Sequence, residues 1–245
     1  MKVNILFPVL NEHLRLENGI RKTEQYLRET SPVPYQITIL DNGSDDDTPE
    51  IGKSLARELS HVEYVRIEQR GVGIAFRIGV ERSDADLIGT MDIDLSTDIT
   101  NVKKTIDLFL SDPSLDYVNA SRFSKDSVTK GRKWYREITS AGLLAILKTV
   151  FHMKATDAIC GFTFVRKEKA LQLVKECYPD NGWFYMIEFL LRAERDNMNI
   201  LDLPVKWQED YNSTVHVWKT ITNYLKNIAR LQRDFRKEDK NAKKN

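Results

Sequence analysis

Cysteine is nearly absent: Cys160 and Cys177 are the only two in 245 residues, and neither has a CxxC neighbour. They lie too far apart in the chain for a paired metal site, and such sparse usage predicts a reduced, cytoplasmic setting. Net charge is missing as well. With 37 Lys and Arg against 36 Asp and Glu, no global field favours a nucleic-acid partner. Long apolar runs are also lacking. The best candidate, "AGLLAILKTVF" at 141–151, is interrupted by Lys148 and stops well short of the roughly 20 residues a spanning helix needs. The opening "MKVNILFPVLNE" has neither the long apolar region nor the small-residue cleavage site of a signal peptide, so it reads as a first strand. These absences predict a chain with no transmembrane anchor of its own. A Gly-x-Gly-x-x-Gly fingerprint after that strand and a P-loop are absent too, so glycines at a helix N-terminus are not expected to cradle a nucleotide's phosphates. The histidines, His13, His61, His152 and His216, show no ligand spacing and are read as surface or structural residues.

What is present is an alternation. Hydrophobic content of 41% and charged content of 30% suit a soluble protein with a real core. Apolar, β-branched runs at 3–9, 35–40, 62–67, 86–91 and 116–120 predict buried parallel strands. Helical patterns at about 14–29, 49–60, 73–82 and 101–111 lie between them. Thr48 is the expected N-cap of the second helix, with Pro49 at its first position. The pattern predicts right-handed βαβ units and an α/β fold with a mostly parallel central sheet flanked by helices. Ligands of such sheets sit at the carboxyl ends of the strands. The second half holds a basic loop, "RFSKDSVTKGRKWYRE", and an apolar helix at about 135–151. It continues with a strand and helix in "DAICGFTFVRKEKALQLV", a helix in "FYMIEFLLRAERDN", and a last helix from about 215 to 236. No Pro- or Ser-rich linker separates the halves. One domain over 1–232, followed by a basic tail at 233–245, is the expectation.

Polar residues cluster where the strands end. Strand one ends in Asn11 and Glu12, strand two in Asp41, Asn42 and Ser44, and strand four in Asp92, Asp94, Ser96 and Asp98. Turn composition explains one aspartate easily and three in "TMDIDLSTD" poorly. Without a phosphate-binding glycine loop, a metal is the obvious substitute. Closely spaced carboxylates are hard oxygen ligands suited to Mg²⁺ or Mn²⁺. A strand would put Asp92 and Asp94 on one face, because side-chain direction repeats every two residues. Asp98 reads equally well as a cap for the helix that follows.

The strings "FPVLNE", "LDNGSDDDT", "RGVGIAFRIGVERSDADLIGTMDIDLSTD", "ASRF", "CGF" and "LPVKWQEDYNST" occur in that order. Together they resemble family 2 glycosyltransferases of the GT-A fold, and within them the polyprenyl- or dolichyl-phosphate glucosyltransferase and mannose synthase branch. The resemblance runs from about residue 3 to 230. It implies a GT-A Rossmann-like, nucleotide-diphospho-sugar transferase fold. It also implies that Pro8, Asn11 and Glu12 frame the nucleoside pocket, that Asp41 contacts the base, and that Asp92–Asp94 is a DxD motif whose Asp94 holds the metal, with Asp92 beside the nucleotide's ribose. Arg122 and Arg136 match arginines that the family uses around an acceptor phosphate. Arg70 is a further candidate for the diphosphate, and Gly71 and Gly73 are read as letting backbone approach a ligand, with a plain tight turn as the alternative. Gln208 and Glu209 fit a late segment that closes over the substrate. Trp183 and Trp207 are candidates to floor a sugar, whereas packing is the safer reading of Trp218. Ser96 stands where the mannose-type branch has Gln, which points towards glucose-type donors. Met186 stands where relatives often carry an acidic residue.

The chemistry so implied is inverting transfer of a hexose from a nucleotide sugar, UDP-linked by expectation, to a polyprenyl phosphate at the cytoplasmic membrane face. A metal would offset charge on the leaving diphosphate. An anionic phosphate acceptor needs no general base but does need cations, and arginine suits that role. A hydroxyl acceptor on a polysaccharide or other glycan, the first alternative, needs a base. Asp157 and Glu188 are the candidates for it. A non-catalytic nucleotide-sugar binder is the second alternative. Residues 226–245 carry eight Lys or Arg against three Asp or Glu. A packed helix with a solvated tail accounts for most of that stretch. Its functional reading is contact with an anionic membrane surface, at about 1 kcal/mol per basic residue. Many relatives continue here into transmembrane helices, so this chain would rely on peripheral binding or an integral-membrane partner.

Overall fold

The computed structural model describes residues 1–209 and 217–242. The chain divides into two compact units, one of Met1–Arg132 with Ala155–Glu209, the other of Lys133–Lys154 with Asp210–Asn245.

The first unit is built on a seven-stranded sheet. In chain order its elements are β1 (Val3–Val9), α1 (Leu16–Thr30), β2 (Tyr35–Asn42), α2 (Thr48–Glu58), β3 (Val62–Ile67), α3 (Val72–Arg82) and β4 (Leu87–Thr90). These are followed by α4 (Thr100–Ser111), β5 (Tyr117–Ser121) and β6 (Val128–Lys130). After α5 (Trp134–Phe151), which belongs to the second unit, come β7 (Thr163–Arg166), α6 (Lys167–Glu176), α7 (Phe184–Arg195), β8 (Ile200–Pro204) and β9 (Lys206–Gln208). The sheet order is β3-β2-β1-β4-β7-β5-β8. Every neighbouring pair is parallel except those made by β7, which runs antiparallel to β4 and β5. β6 and β9 form a separate two-stranded ribbon.

The strand bounds follow the apolar runs closely, because a strand covered on both faces must be apolar at nearly every position. β1 is an interior strand and shows this best: Val3, Ile5, Leu6, Phe7 and Val9 are all buried. Where β4 meets β7, Gly89 has no side chain, and the Phe164 ring lies across its backbone where a β-carbon would be. Phe162 stacks beside Phe164 with ring centroids 4.9 Å apart. The carboxyl ends of β1, β2 and β4 therefore emerge together, which is the edge that open α/β sheets use for ligands.

Three local expectations change. β4 stops at Thr90, so Asp92 and Asp94 stand beyond the strand, and the strand argument for their shared face does not apply. Thr48 does not cap α2; its hydroxyl accepts the Glu12 backbone N–H at 2.8 Å instead. The basic loop contains β6, whose partner β9 lies far away in sequence.

The second unit holds α5 and α8 (Val217–Ala242), with Phe151 set edge-on to Phe235 at 5.7 Å. α8 runs on to Ala242 rather than ending near 236. No helix among the described residues is long and apolar enough to cross a membrane.

Phe164 sits at the middle of the mixed β4–β7–β5 junction with no exposed surface. Phe164→Ala should lower unfolding free energy by about 3–5 kcal/mol, measured by urea denaturation, with the loss in midpoint rather than in slope.

Candidate active site

The β1, β2 and β3 ends are bound to one another by side chains that the parallel strands cannot supply. Asn11 sits in the left-handed region at φ 57°, which Asn tolerates better than most residues. From there its N–H donates to Ser44 Oγ at 2.9 Å, and its Oδ1 accepts the Asp45 N–H at 2.9 Å. Asn42 donates to the Val9 carbonyl at 2.8 Å and accepts the Gly71 N–H at 3.0 Å, joining β1 to the start of α3. Pro8 lies within β1 opposite Leu40, where its missing N–H costs little at the strand end. Glu12 pairs with Arg15 at 2.7 Å.

Asp41 has no exposed surface. Its Oδ1 accepts the Ser44 N–H at 2.9 Å, and its Oδ2 accepts from the Tyr64 hydroxyl at 2.6 Å and from Arg66 at 2.8 Å. Burial pushes this carboxyl up, but the Tyr64, Ser44 and Arg66 hydrogen bonds outweigh it and hold the group below the ordinary carboxylate range. Arg70 reaches Asp45 at 2.9 Å on the exposed rim. Gly71 and Gly73 do permit a close backbone approach, but the chain itself makes it. Residues 180–182 occupy the space that β-carbons there would fill, and Gly71 carries a φ of 137°.

Beyond β4 the chain turns sharply. Leu95, at φ 53°, donates its N–H to the Asp92 carbonyl at 3.1 Å, and Asp94 Oδ1 accepts the Ser96 N–H at 2.9 Å. A turn, not a strand, thus brings Asp92 and Asp94 together. Burial, then the Asp94 charge, push the Asp92 carboxyl up to about 7; Arg122 opposes this and Glu12 adds to it. Gly161 of "CGF" lies directly against the Asp92 carboxylate, in the space a β-carbon would need. Asp98 accepts the N–H and hydroxyl of Thr100 at 2.9 and 2.7 Å, capping the start of α4.

The opposite wall of the turn is the late segment. Gln208 donates its N–H to the Ser96 carbonyl at 2.8 Å, Asp98 donates its N–H to the Lys206 carbonyl at 3.0 Å, and Thr97 bridges to Trp207. The Trp207 ring carries two guanidiniums, Arg122 at 5.5 Å and Arg132 at 6.0 Å, and both also stack on Phe123 at 5.7 and 5.1 Å. Such contacts hold cations in fixed positions through the ring quadrupole.

Arg122 and Asp157, proposed from sequence for rival chemistries, are partners. Nε meets Oδ2 at 2.7 Å and Nη2 meets Oδ1 at 3.0 Å, while the Arg122 and Ile159 N–H groups occupy the same carboxylate. Asp157 has no exposed surface and Arg122 very little. Burial works against the guanidinium's charge, but Asp157 more than offsets it and makes the proton harder to remove. Four donors leave Asp157 poorly placed to take a proton from an acceptor. Glu188 is likewise buried, within α7, and accepts from Arg192 Nε and the Tyr178 N–H, each at 3.0 Å. Arg136 lies in the first turn of α5, in the second unit. Trp183 is half exposed just before α7. The Trp218 side chain, His216 and the 210–214 part of "LPVKWQEDYNST" lie outside the described residues. Sequence reasoning missed Arg132, Phe123 and the Gly161 contact. Only the position of "CGF" in the motif order hinted at the last.

The fold, an α/β unit with a mostly parallel central sheet flanked by helices, is that of the GT-A glycosyltransferases. The chain belongs to glycosyl transferase family 2, whose sequence pattern matches residues 4–173. It is 27% identical over 232 residues to glycosyltransferase AglD of Haloferax volcanii, covering 94% of this chain and 37% of that one. It is 25% identical to the dolichyl-phosphate β-glucosyltransferase of Dictyostelium discoideum, covering 94% of this chain and 73% of that one. Among solved structures, glucosyl-3-phosphoglycerate synthase from Mycobacterium tuberculosis with Mn²⁺, UDP-glucose and phosphoglyceric acid superposes with a TM-score of 0.69. The identity is 17%, over 94% of this chain and 79% of that one.

Two stability outcomes follow from the pairs. Arg122→Met alone should destabilise by about 3–5 kcal/mol because it strands a buried carboxylate, and adding Asp157→Asn should recover much of the loss; chemical denaturation of the double-mutant cycle measures this. Asp41, held below its unfolded value near 3.9, stabilises the fold fully above that value and progressively less as pH falls through the folded one. The stability gap between wild type and Asp41→Asn should therefore shrink below about pH 4, as read from denaturation midpoints across an acid series.

Proposed function

We propose that this glycosyltransferase moves a hexose, glucose in the first instance, from a UDP-sugar to a polyprenyl phosphate at the cytoplasmic face of a membrane, with Mg²⁺ or Mn²⁺ as cofactor. The observation that carries the reading is the Asp92–Asp94 turn, walled by Trp207–Gln208 with the Arg122 guanidinium beside it.

The residues fit a divalent cation. Asp92 is desolvated and lies beside a second carboxylate, and both push its carboxyl up, the condition a hard dication relieves. No three His, Cys, Asp or Glu side chains group as a metal cage among the described residues. That matches Mg²⁺-type sites, in which one or two carboxylates and the substrate's phosphates share the ion. Asp94 would hold it, with Asp92 turned to the ribose. When bound, such an ion offsets the negative charge that develops on the leaving diphosphate.

The chain's own groups perform the rest. Asn11, Glu12 and the Asp41–Arg66–Tyr64 cluster shape the nucleoside end of the edge, and Arg70 stands at its rim for the diphosphate. Arg122, fixed by Asp157, Phe123 and Trp207, presents positive charge without needing to be ordered on binding. Arg136 is assigned to the acceptor phosphate. A phosphate oxygen is already anionic near neutral pH, so attack from the face opposite the leaving group inverts the anomeric centre without a base. The two candidate bases for a glycan hydroxyl, Asp157 and Glu188, are both buried and engaged, which favours the phosphate acceptor over that alternative. Relatives from both comparisons are named for phosphate-bearing acceptors, dolichyl phosphate and phosphoglycerate. An integral-membrane partner would be one means of delivering the lipid.

Release of UDP from UDP-glucose with a polyprenyl phosphate acceptor tests the proposal. Wild type should turn over with Mn²⁺ or Mg²⁺ and stop with a chelator. Asp94→Ala should lose roughly 10²–10³-fold, the several kcal/mol a metal supplies at a developing anion. Unchanged turnover in Asp94→Ala would sink the metal assignment, and faster release with a glycan than with the lipid phosphate would sink the acceptor.

A further inference from the structure

α5 shows large apolar side chains to solvent. A helix on a small two-helix unit ordinarily buries its apolar stripe and shows water its polar one. Here the buried positions are Ser140, Leu144 and Leu147. The exposed ones include large apolar side chains, Trp134 at 72%, Ile138 at 63%, and Tyr135 and Ile146 at 37% each, beside Glu137, Thr139, Lys148 and Thr149. Ala141, Gly142 and Ala145 continue the same face between them. This stripe is continuous, because positions three, four and seven apart share a side of a helix. It is also too apolar to be a solvated surface, yet the helix cannot cross a membrane.

We propose that the exposed face of α5 is a membrane-docking surface, seated flat in the headgroup region of a bilayer that carries anionic lipid. The proposal rests on the lipid-phosphate reading above and deepens it by naming the surface that brings the enzyme to its acceptor. Charge selects this occupant over others. Residues 133–154 hold Lys133, Arg136, Lys148 and Lys154 against Glu137 alone, and α8 carries seven Lys or Arg against three Asp or Glu. A second copy of the chain on the same face would bring like charge to like charge. An anionic lipid surface instead complements it, and basic residues flanking an apolar stripe are the pattern of interfacial helices. Trp134 and Tyr135, at one end of the stripe, have the amphipathic rings suited to headgroup depth.

Co-sedimentation of the full chain with phosphatidylcholine vesicles, with and without added phosphatidylglycerol, tests this. The wild type should pellet with the anionic vesicles. Ile138→Asp with Ile146→Asp should lose binding by roughly tenfold or more while keeping wild-type turnover on a short-chain, water-soluble prenyl phosphate, which shows the fold is intact. Lys133→Glu with Lys148→Glu, which keeps the apolar face, should lose the preference for phosphatidylglycerol. Docking through α5 is overturned if the wild type ignores anionic vesicles or the aspartate variant pellets like the wild type. It is equally overturned if that variant merely converts a dimer to a monomer in sedimentation velocity. No turnover by the wild type on the soluble prenyl phosphate overturns the acceptor reading instead, and pelleting still decides the docking surface.

Discussion

The buried Arg122–Asp157 pair organises one half of the candidate active-site edge. Its two short contacts tie the end of β5 to the segment that leads into "CGF". From there the chain places Gly161 against Asp92, so the position of that carboxylate depends on a pair 35 residues apart in sequence. The same guanidinium spreads over Trp207 and so reaches the late segment that walls the turn. A buried ion pair is a poor source of net stability, because desolvation consumes most of what attraction supplies. Its use here is positional: it keeps a positive charge beside a carboxylate pair that would otherwise repel itself.

The other half of the edge is held by neutral side chains. Asn11, Asn42, Ser44 and Thr48 each bond to backbone on a neighbouring loop. Parallel strands end side by side but leave their loops without partners of their own, so amides and hydroxyls do that work. These residues set the shape of the edge proposed for the nucleoside, and the buried Asp41 anchors the Tyr64 and Arg66 side chains there. The helical second unit contributes differently, with an apolar helix face turned outward instead of a cleft.

Much of this was legible in the order of residues. Apolar runs located β1 to β5 within a residue or two, since a doubly covered strand has no polar alternative. The motif series located the Asp92–Asp94 pair and the "KWQ" wall, and family membership follows from the same strings. Other features were not legible, each for a physical reason. β7 runs antiparallel between β4 and β5, which only the sheet pairing reveals. The DxD carboxylates meet through a turn at Leu95, where backbone sign and not side-chain alternation decides direction.

Periodicity and motif spacing, which are local properties of the chain, therefore determined β1 to β5, β7, the helices and the candidate carboxylates, but not β6, β8 or β9. Partnership was decided only by the tertiary structure. Asp157 and Glu188 read as candidate bases in the chain, yet folding surrounds each with donors and buries it. "RGVG" read as a ligand loop until residues 180–182 filled it. Likewise "AGLLAILKTVF" read as a failed membrane span, and the fold turned its apolar side outward. Burial and charge pairing depend on contacts made across long stretches of sequence, and no local pattern carries that information.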